Sequence, residues 1–359
     1  MKTLLFKYAL VLCLTIPMAT MAHDGKLKGK YNKEKTINKE FDVNPTDLLK
    51  IKNSYGNVTI SSWDEDRIVM EIKIKVSGNN EDKVAKKLDE ITVEFDSTGD
   101  MVSAKTVFAK GKGWNWGKNT TSMQINYSIK APVKHSVHLS NDYGAIIIDR
   151  IDGHAKIFCD YGRLEIGELR GRNNQLRFDY TSNSTIDYMN SGSINADYSG
   201  FVLKRVGDLE LNADYTKANI GEMKNLDYTG DYGSMDVASV QNVTGNGDYI
   251  SVNLGDVYGN VDINADYGSV KIDNLTAEAG NVNINTDYTG IKIGYDAGYY
   301  FDFEITTEYA SVKGKDDFEF NISKEKNSER YYKGYYGQAG SGKSVYISSE
   351  YGGVSFYKN

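Results

Sequence analysis

The sequence predicts an all-β protein: a single-stranded β-helix, or solenoid, of coils about 17–21 residues long, with an elaborated N-terminal cap that carries one short helix. Three observations lead to this prediction. An Asp-Tyr pair recurs at a nearly constant interval, apolar residues alternate at fixed positions around each pair, and a small residue that suits a tight corner follows almost every tyrosine.

The Asp-Tyr pair marks the repeat. From Tyr143 to Tyr309, successive tyrosines of the repeat lie 17 to 21 residues apart, and Tyr351 follows after 42 residues, which is two steps of 21. Tyr55 is an early member of the series. The pairs predicted to form a structural ladder are Asp142 and Tyr143, Asp160 and Tyr161, Asp179 and Tyr180, Asp197 and Tyr198, Asp214 and Tyr215, Asp231 and Tyr232, Asp248 and Tyr249, Asp266 and Tyr267, and Asp287 and Tyr288.

Each coil is predicted to contain very short strands. With the tyrosine as position zero, positions +3 and +5 are apolar, as in Ile146 and Ile148, and positions −4 and −2 are apolar or small. Alternation of this kind predicts strands, and the change of parity at the tyrosine predicts a corner there. One coil cannot bury its own apolar face, so the coils must stack. Asn183 and Thr185 replace the apolar pair after Tyr180, where we expect a bulge or a widened corner.

Residues 1–22 are predicted to be a signal peptide. Lys2 and Lys7 precede an apolar run, and Thr20 and Ala22 are the small residues before a cleavage site ahead of His23. The protein is therefore expected in the periplasm, at the cell surface or in the medium, with no transmembrane segment in the mature chain.

Residues 23–140 are predicted to form the N-terminal strand-rich cap and the first coils, and residues 141–359 the solenoid repeats. The cap contains a helix at 81–88 and a hairpin tip at 110–118. A cap is expected because a solenoid must protect its end strand from edge-to-edge pairing. Within the repeats, the polar insertion at 323–343 is expected to be a mobile loop.

The repeat pattern resembles a known family. Val-Thr-Ile follows Tyr55-Gly56, the segment 127–133 reads Tyr-Ser-Ile-Lys-Ala-Pro-Val, and Tyr-Gly-x-Val-x-Ile turns recur. Over roughly residues 37–359, the chain resembles the β-strand-repeat "putative adhesin" family of Bacteroidetes, whose function is unknown. Members usually carry Ser-Gly-Asp at the turn, where this chain has Tyr-Gly or Tyr-Thr. The resemblance implies a β-helical fold and a location in the cell envelope.

The regular row of aspartates has two interpretations. In the first, each carboxylate accepts an N–H group of its own corner in an Asx-type turn. In the second, the carboxylates bind Ca²⁺, although the sequence lacks the Gly-Gly-x-Gly-x-Asp repeat of calcium β-rolls. The turn is the favoured interpretation, so we predict neither a metal nor a cofactor, and we expect folding without Ca²⁺. Cys159 holds an inward position and is predicted to be poorly reactive.

Three further motifs are candidates for binding. The tyrosines could stack on sugar rings, but a structural ladder is the favoured interpretation. Trp114 and Trp116, on a loop rich in Gly and Lys, are the better candidates for a binding surface, although they could instead fold back onto the cap. Gly337–Ser344 has the letters of a phosphate-binding loop, but a strand is predicted to follow it where such a loop needs a helix.

The predicted function is that of an exported cell-envelope protein of structural or adhesion type. It would bind a macromolecular envelope or extracellular ligand, a polysaccharide or a protein, without catalysis. The alternative is a carbohydrate-active β-helix enzyme, either a polysaccharide lyase or a hydrolase. Regular carboxylates favour the first reading, since such enzymes cluster irregular acids on one face. A net charge of −7 argues against nucleic acid as the partner.

Overall fold

The computed structural model describes residue 27 and residues 29–109 and 121–359, and within these ranges the chain is all-β with one helix. The described strands belong to one hydrogen-bonded sheet of 27 strands. The N-terminal part consists of β1 (Tyr31–Asp42), β2 (Leu48–Ser54), β3 (Val58–Trp63), β4 (Arg67–Gly78), α1 (Glu81–Asp89), β5 (Ile91–Thr98), β6 (Met101–Phe108) and β7 (Thr121–Pro132).

The repeats supply the remaining strands. They are β8 (Ser136–Asp142), β9 (Ala145–Ile151), β10 (Ala155–Asp160), β11 (Arg163–Leu169), β12 (Asn174–Asp179), β13 (Ser184–Asp197), β14 (Gly200–Asp214), β15 (Lys217–Thr229), β16 (Gly233–Asp248), β17 (Ile250–Val257), β18 (Val261–Asp266), β19 (Ser269–Leu275), β20 (Val282–Asp287), β21 (Gly290–Tyr295), β22 (Phe301–Glu308), β23 (Val312–Lys313), β24 (Glu319–Lys326), β25 (Glu329–Tyr336), β26 (Ser344–Glu350) and β27 (Val354–Lys358).

From the repeat of Tyr143 to that of Tyr288, each repeat pairs in parallel with the next repeat. The segment that follows a tyrosine pairs with the corresponding segment one repeat later, as β9 does with β11, and the segment that precedes a tyrosine does the same, as β8 does with β10. From β13 to β16 the two segments of one repeat run on as a single long strand. Identical positions of successive repeats therefore lie side by side.

The alternation in the sequence sorts side chains into a core and a surface. Ile146 and Ile148, at +3 and +5, are fully buried, as is Ile157 at −4. After Tyr180 the corner is one residue longer than in the other repeats. Asn183 takes a positive φ of 57°, and Ile186 rather than Thr185 pairs with Ile166 in the core. A widened corner is thus present where the sequence lacks its apolar pair.

The N-terminal region extends the stack and then closes it. Strands β2 and β3 pair in parallel with β8 and β9, and β6 and β7 pair with the opposite sides of β2 and β3. Strand β4 adds to β7 and β1 adds to β4, both antiparallel. The helix α1 begins after Asn80, whose side chain accepts the N–H of Lys83, and it buries Val84 and Leu88.

At the other end, the order in space differs from the order in sequence. Strands β26 and β27 pair in parallel with β20 and β21, and β26 also pairs with β22. The repeat of Tyr351 therefore lies between the repeats of Tyr288 and Tyr309. Reading the interval of 42 residues as two steps of 21 is wrong, because the interval contains a hairpin instead of a further coil.

The expectation of a mobile loop at 323–343 is also wrong. Residues 319–326 and 329–336 form the antiparallel hairpin β24–β25, and β25 pairs with β22 at the end of the stack. All eight residues of β24 are exposed. The segment is polar because it is an edge strand with little buried surface, and an exposed edge needs charged side chains to prevent pairing with other chains.

Candidate binding surface: the tyrosine row

Twelve tyrosines form one continuous stack along the repeats, here called the tyrosine row. The rings of neighbours have centroids 4.7–5.2 Å apart and planes within 1–11° of parallel. In spatial order the row consists of Tyr55, Tyr143, Tyr161, Tyr180, Tyr198, Tyr215, Tyr232, Tyr249, Tyr267, Tyr288, Tyr351 and Tyr309.

Every tyrosine of the row has a left-handed backbone. The φ angles lie between 50° and 65°, a region in which a bulky residue is strained. The backbone makes a corner there. In eleven of the twelve, the tyrosine N–H donates to the carbonyl of the acidic residue in the neighbouring repeat, as Tyr215 does to the Asp231 oxygen at 2.9 Å; the Tyr309 N–H donates instead to the Ser328 carbonyl. This conformation is not predictable from the sequence, because glycine and asparagine are the residues that usually adopt it.

The stack determines which part of each ring can meet a ligand. Neighbouring rings cover both faces of every interior tyrosine, yet the side chains from Tyr143 to Tyr309 are 46–58% exposed. The exposed part is therefore the ring edge and the hydroxyl group. At one end, the ring of Phe108 meets that of Tyr55 edge-on at 6.0 Å and 85°. Sugar rings bind aromatic faces, so the interior of the row offers them no stacking platform.

The aspartates form a parallel row beside the tyrosines. Oδ1 of an aspartate accepts the backbone N–H of the aspartate in the next repeat: Asp214 accepts from Asp231 at 2.9 Å, and Asp231 accepts from Asp248 at 3.1 Å. The same contact recurs at Asp160, Asp179 and Asp266. The predicted Asx-type turn is wrong in its partner, since these carboxylates accept an N–H from the neighbouring repeat and not from their own corner.

The hydrogen bonds compensate part of the repulsion between like charges. Burial, and then the nearby carboxylates, raise the pKa of the Asp160, Asp197 and Asp248 carboxyl groups, while the backbone N–H groups that Asp160 and Asp197 accept act in the opposite direction. Among the described residues, no three His, Cys, Asp or Glu side chains come together in an arrangement that could hold a metal ion.

Trp114 and Trp116 lie outside the described residues, as does the predicted signal peptide. The binding role of the two tryptophans and the signal peptide therefore remain predictions. Residues 110–120 connect β6 to β7, close in sequence to Phe108 at the end of the tyrosine row. Gly337–Ser344 joins β25 to β26 as a turn with three glycines at positive φ, and a strand follows it.

Cys159 lies fully buried in the core. Burial raises the pKa of its thiol to about 12, so the reactive thiolate is scarce at neutral pH. Its low reactivity stays a prediction that thiol labelling can test. Within the described ranges, no helix has the length and apolar character that crossing a bilayer requires.

Two grooves on the surface are formed by several repeats in register, so no local sequence pattern predicts them. A polar groove of about 780 Å³ is lined by Asp208, Asn225 and Asn242, whose side chains are linked by hydrogen bonds of 2.6 and 2.8 Å. A shallower groove of about 470 Å³ runs over Gly221, Ala238 and Gly255. Farther along the same repeat position, Tyr357 covers Gly294, and its hydroxyl donates to the Asp273 carbonyl at 3.1 Å.

Comparison with known proteins identifies similar folds only at low similarity. No family model matches the sequence, and no curated protein matches it. Solved structures that match include a "putative adhesin" from Parabacteroides merdae, with 13% identity, 72% of this chain and 91% of that chain covered, and a TM-score of 0.33. A "putative adhesin" from Parabacteroides distasonis has 12% identity, coverage of 72% and 92%, and a TM-score of 0.32.

A third match is a "putative adhesin" from Bacteroides fragilis, with 12% identity, coverage of 90% of this chain and 97% of that chain, and a TM-score of 0.24. The description of these proteins agrees with the resemblance noted from the sequence. At such identities and TM-scores the likeness carries no argument about function, which must be argued from the surface itself.

Proposed function

We propose that this chain is an exported β-solenoid of the cell envelope that binds a macromolecular partner through its repetitive surface, without transforming that partner. The solenoid interpretation is supported by the parallel, in-register pairing of successive repeats. Export is supported by the composition of residues 1–22, a region typical of a signal peptide.

The observation that carries the proposal is the tyrosine row. Twelve strained tyrosines occupy corners where glycine would be easier to accommodate, and eleven of them expose 46–58% of their surface. Strain retained at a repeated surface position is a reason to look for function there. A straight row of hydroxyl groups and ring edges, one per repeat, suits an extended partner that makes many weak contacts.

The chemistry of the row limits the partner. Its aspartates make an anionic partner unfavourable, and its covered ring faces make stacking of sugar rings along the row unfavourable. A polypeptide surface, or a neutral polysaccharide held through its hydroxyl groups, fits better. Tyrosine gains a large contact area at a small entropic cost, which is why it is enriched in protein interfaces.

The test compares two triple variants at the centre of the row. Changing Tyr198, Tyr215 and Tyr232 to glycine removes three rings and suits the left-handed backbone. Changing the same three residues to phenylalanine keeps the stack and removes only the hydroxyl groups. Binding of each purified protein to a glycan array and to a panel of immobilised extracellular proteins is then measured, with circular dichroism as the control for folding.

We expect the glycine variant to fold and to lose binding to the partner that the wild type selects. The phenylalanine variant should bind more weakly than the wild type only by the amount that the three hydroxyl groups contribute to the binding free energy. Unchanged binding by the glycine variant would exclude the row as the binding surface. Release of sugar fragments from any polysaccharide by the purified protein would replace the proposal with the enzymatic alternative.

A further inference from the structure

The exposed part of the tyrosine row is the part of a phenol that reacts when it is oxidised. Both faces of an interior ring such as Tyr215 are covered, by Tyr198 at 4.7 Å and by Tyr232 at 4.9 Å, while half of the side chain remains exposed. Coupling of phenols takes place at the hydroxyl group and at the ring carbons beside it. The stack therefore leaves the coupling positions open and protects only the faces.

Stacking also lowers the energy of an electron-poor ring. A ring that loses an electron carries positive charge, which spreads onto a parallel neighbour and is attracted by its electron-rich face. Neighbouring rings in the row are within 11° of parallel, so each interior ring has two such partners. Among the described residues, no tyrosine outside the row has parallel rings on both faces.

The row of aspartates beside the tyrosines, here called the acidic row, also favours loss of an electron from a tyrosine ring. Burial, then the neighbouring tyrosines, and then the charges of Asp214 and Asp231 raise the pKa of the Tyr215 phenol. The phenol therefore keeps its proton at neutral pH, and oxidation must remove an electron and a proton. Negative charge nearby favours the loss of the electron, and the exposed hydroxyl group can release the proton to water.

We propose that the tyrosine row is a site of oxidative coupling, at which peroxide joins tyrosine rings of this chain to phenols of a neighbouring molecule. One hydrogen atom is removed from the row tyrosine and one from the second phenol, and the two radicals join by a carbon–carbon bond beside the hydroxyl groups. The two hydrogen atoms reduce one hydrogen peroxide to two water molecules. A peroxidase supplies the one-electron steps.

The geometry directs the coupling outward. Neighbouring rings of the row are nearly parallel, with centroids 4.7–5.2 Å apart, whereas the coupled product requires two rings joined edge to edge. Neighbours within the stack are therefore held in an orientation that opposes their coupling to each other. The product expected is a bond to another molecule, which would make a reversible contact of the envelope protein permanent.

The test uses a soluble phenol as the partner. The folded protein is treated with biotin-tyramide, horseradish peroxidase and a limiting amount of hydrogen peroxide, and the labelled positions are counted by peptide mass spectrometry. Tyr258 and Tyr346, both 41% exposed and outside the row, serve as internal controls of similar exposure. We expect the row tyrosines to be labelled several times more often than these two residues.

Two variants separate stacking from exposure. Tyr215→Gly leaves Tyr198 and Tyr232 with one covered face each, so their labelling should fall towards that of Tyr258, whereas Tyr215→Phe keeps both faces covered and should preserve it. Labelling that follows exposure alone, or that is equal in the two variants, would overturn the proposal. The inference goes beyond the proposed function, and because its probe is a small phenol, its failure would leave the binding role untouched.

Discussion

At each tyrosine of the row, backbone strain and ring stacking oppose each other. A left-handed backbone costs a residue with a side chain roughly 1–2 kcal/mol, and the row contains twelve such positions. A stacked aromatic pair contributes about 0.5–1.5 kcal/mol beyond the area it buries. Each pair is shared by two rings, so twelve corners have eleven pairs, and stacking offsets a large part of the strain at each corner.

Tyr215 offers a direct measurement of the balance. Tyr215→Ala removes both stacked pairs and retains the strain, and we expect it to lower the free energy of unfolding by about 1–3 kcal/mol. Tyr215→Gly removes the same pairs but relieves the strain, so it should be more stable than the alanine variant by about 1 kcal/mol. Urea denaturation of the two variants checks the order. An alanine variant more stable than the glycine variant would show that the corner is not strained.

Substitutions at Asp231 test whether the carboxylates of the acidic row stabilise the fold as hydrogen-bond acceptors or only carry charge. Its Oδ1 accepts the N–H of Asp248 at 3.1 Å. Asp231→Asn keeps an acceptor and removes a charge that repels its neighbours, so stability should be unchanged or increased. Asp231→Ala leaves the Asp248 N–H without its partner and should cost about 1 kcal/mol. Thermal denaturation at low salt compares them, and equal melting temperatures would exclude the acceptor role.

At the scale of the elements, local pattern and pairing partner differ in how far the sequence predicts them. The helix α1, predicted at 81–88, and the burial of positions +3 and +5 follow from local sequence patterns. The left-handed tyrosines did not, since nothing in a single Asp-Tyr pair shows that stacking with neighbours will hold the strained backbone. The insertion of β26 and β27 between earlier strands is not predictable either, because the sequence pattern of a repeat is the same wherever that repeat stacks.

The position of β26 and β27 predicts a local effect of truncation. Deleting residues 344–359 removes the strand that pairs with both β20 and β22, and it removes Tyr351 from between Tyr288 and Tyr309. In stacked repeats each unit contacts only its neighbours. Amide hydrogen exchange should therefore accelerate in β20 to β25 and stay unchanged in β8 to β12. Faster exchange throughout would mean that the repeats unfold as one unit.

At the scale of the whole molecule, the acidic row gives a predictable dependence on pH. The pKa values of Asp160, Asp197 and Asp248 are raised, so the folded state binds protons more tightly than the unfolded state. Their ionisation therefore lowers stability at neutral pH. That loss is relieved as the pH falls through the raised pKa values, and fully so below the unfolded value of about 4.

The measurement is a difference between two proteins. A variant with asparagine at those three positions lacks the titration, so the stability of the wild type relative to the variant should increase as the pH falls from 7 to 4. A difference is needed because burial lowers the pKa of His135 and His138. The stability that the two neutral imidazoles contribute is lost as the pH falls through their unfolded pKa of about 6.5. A relative stability that decreases on acidification would contradict the raised carboxyl pKa values.

Removal of divalent cations should leave the fold intact. Several carboxylates of the row already accept a backbone N–H from the next repeat, so each has a partner that does not depend on a metal. We expect EDTA to leave the melting temperature unchanged and added Ca²⁺ to have no saturable effect. A large decrease with EDTA that Ca²⁺ reverses would establish the cation interpretation of the acidic row.

Strands β26 and β27 are synthesised last but lie between strands that are synthesised earlier, and this affects how the end of the stack folds. Translation delivers a chain from its N-terminus, so β20, β21 and β22 emerge before the strands that will separate them. Until residues 344–359 arrive, β20 and β22 each present an unsatisfied edge, and the Tyr288 N–H has no Glu350 carbonyl to bind. Completion of this end is therefore delayed until the last segment has been synthesised, and a stalled nascent chain exposes two strand edges that can pair wrongly.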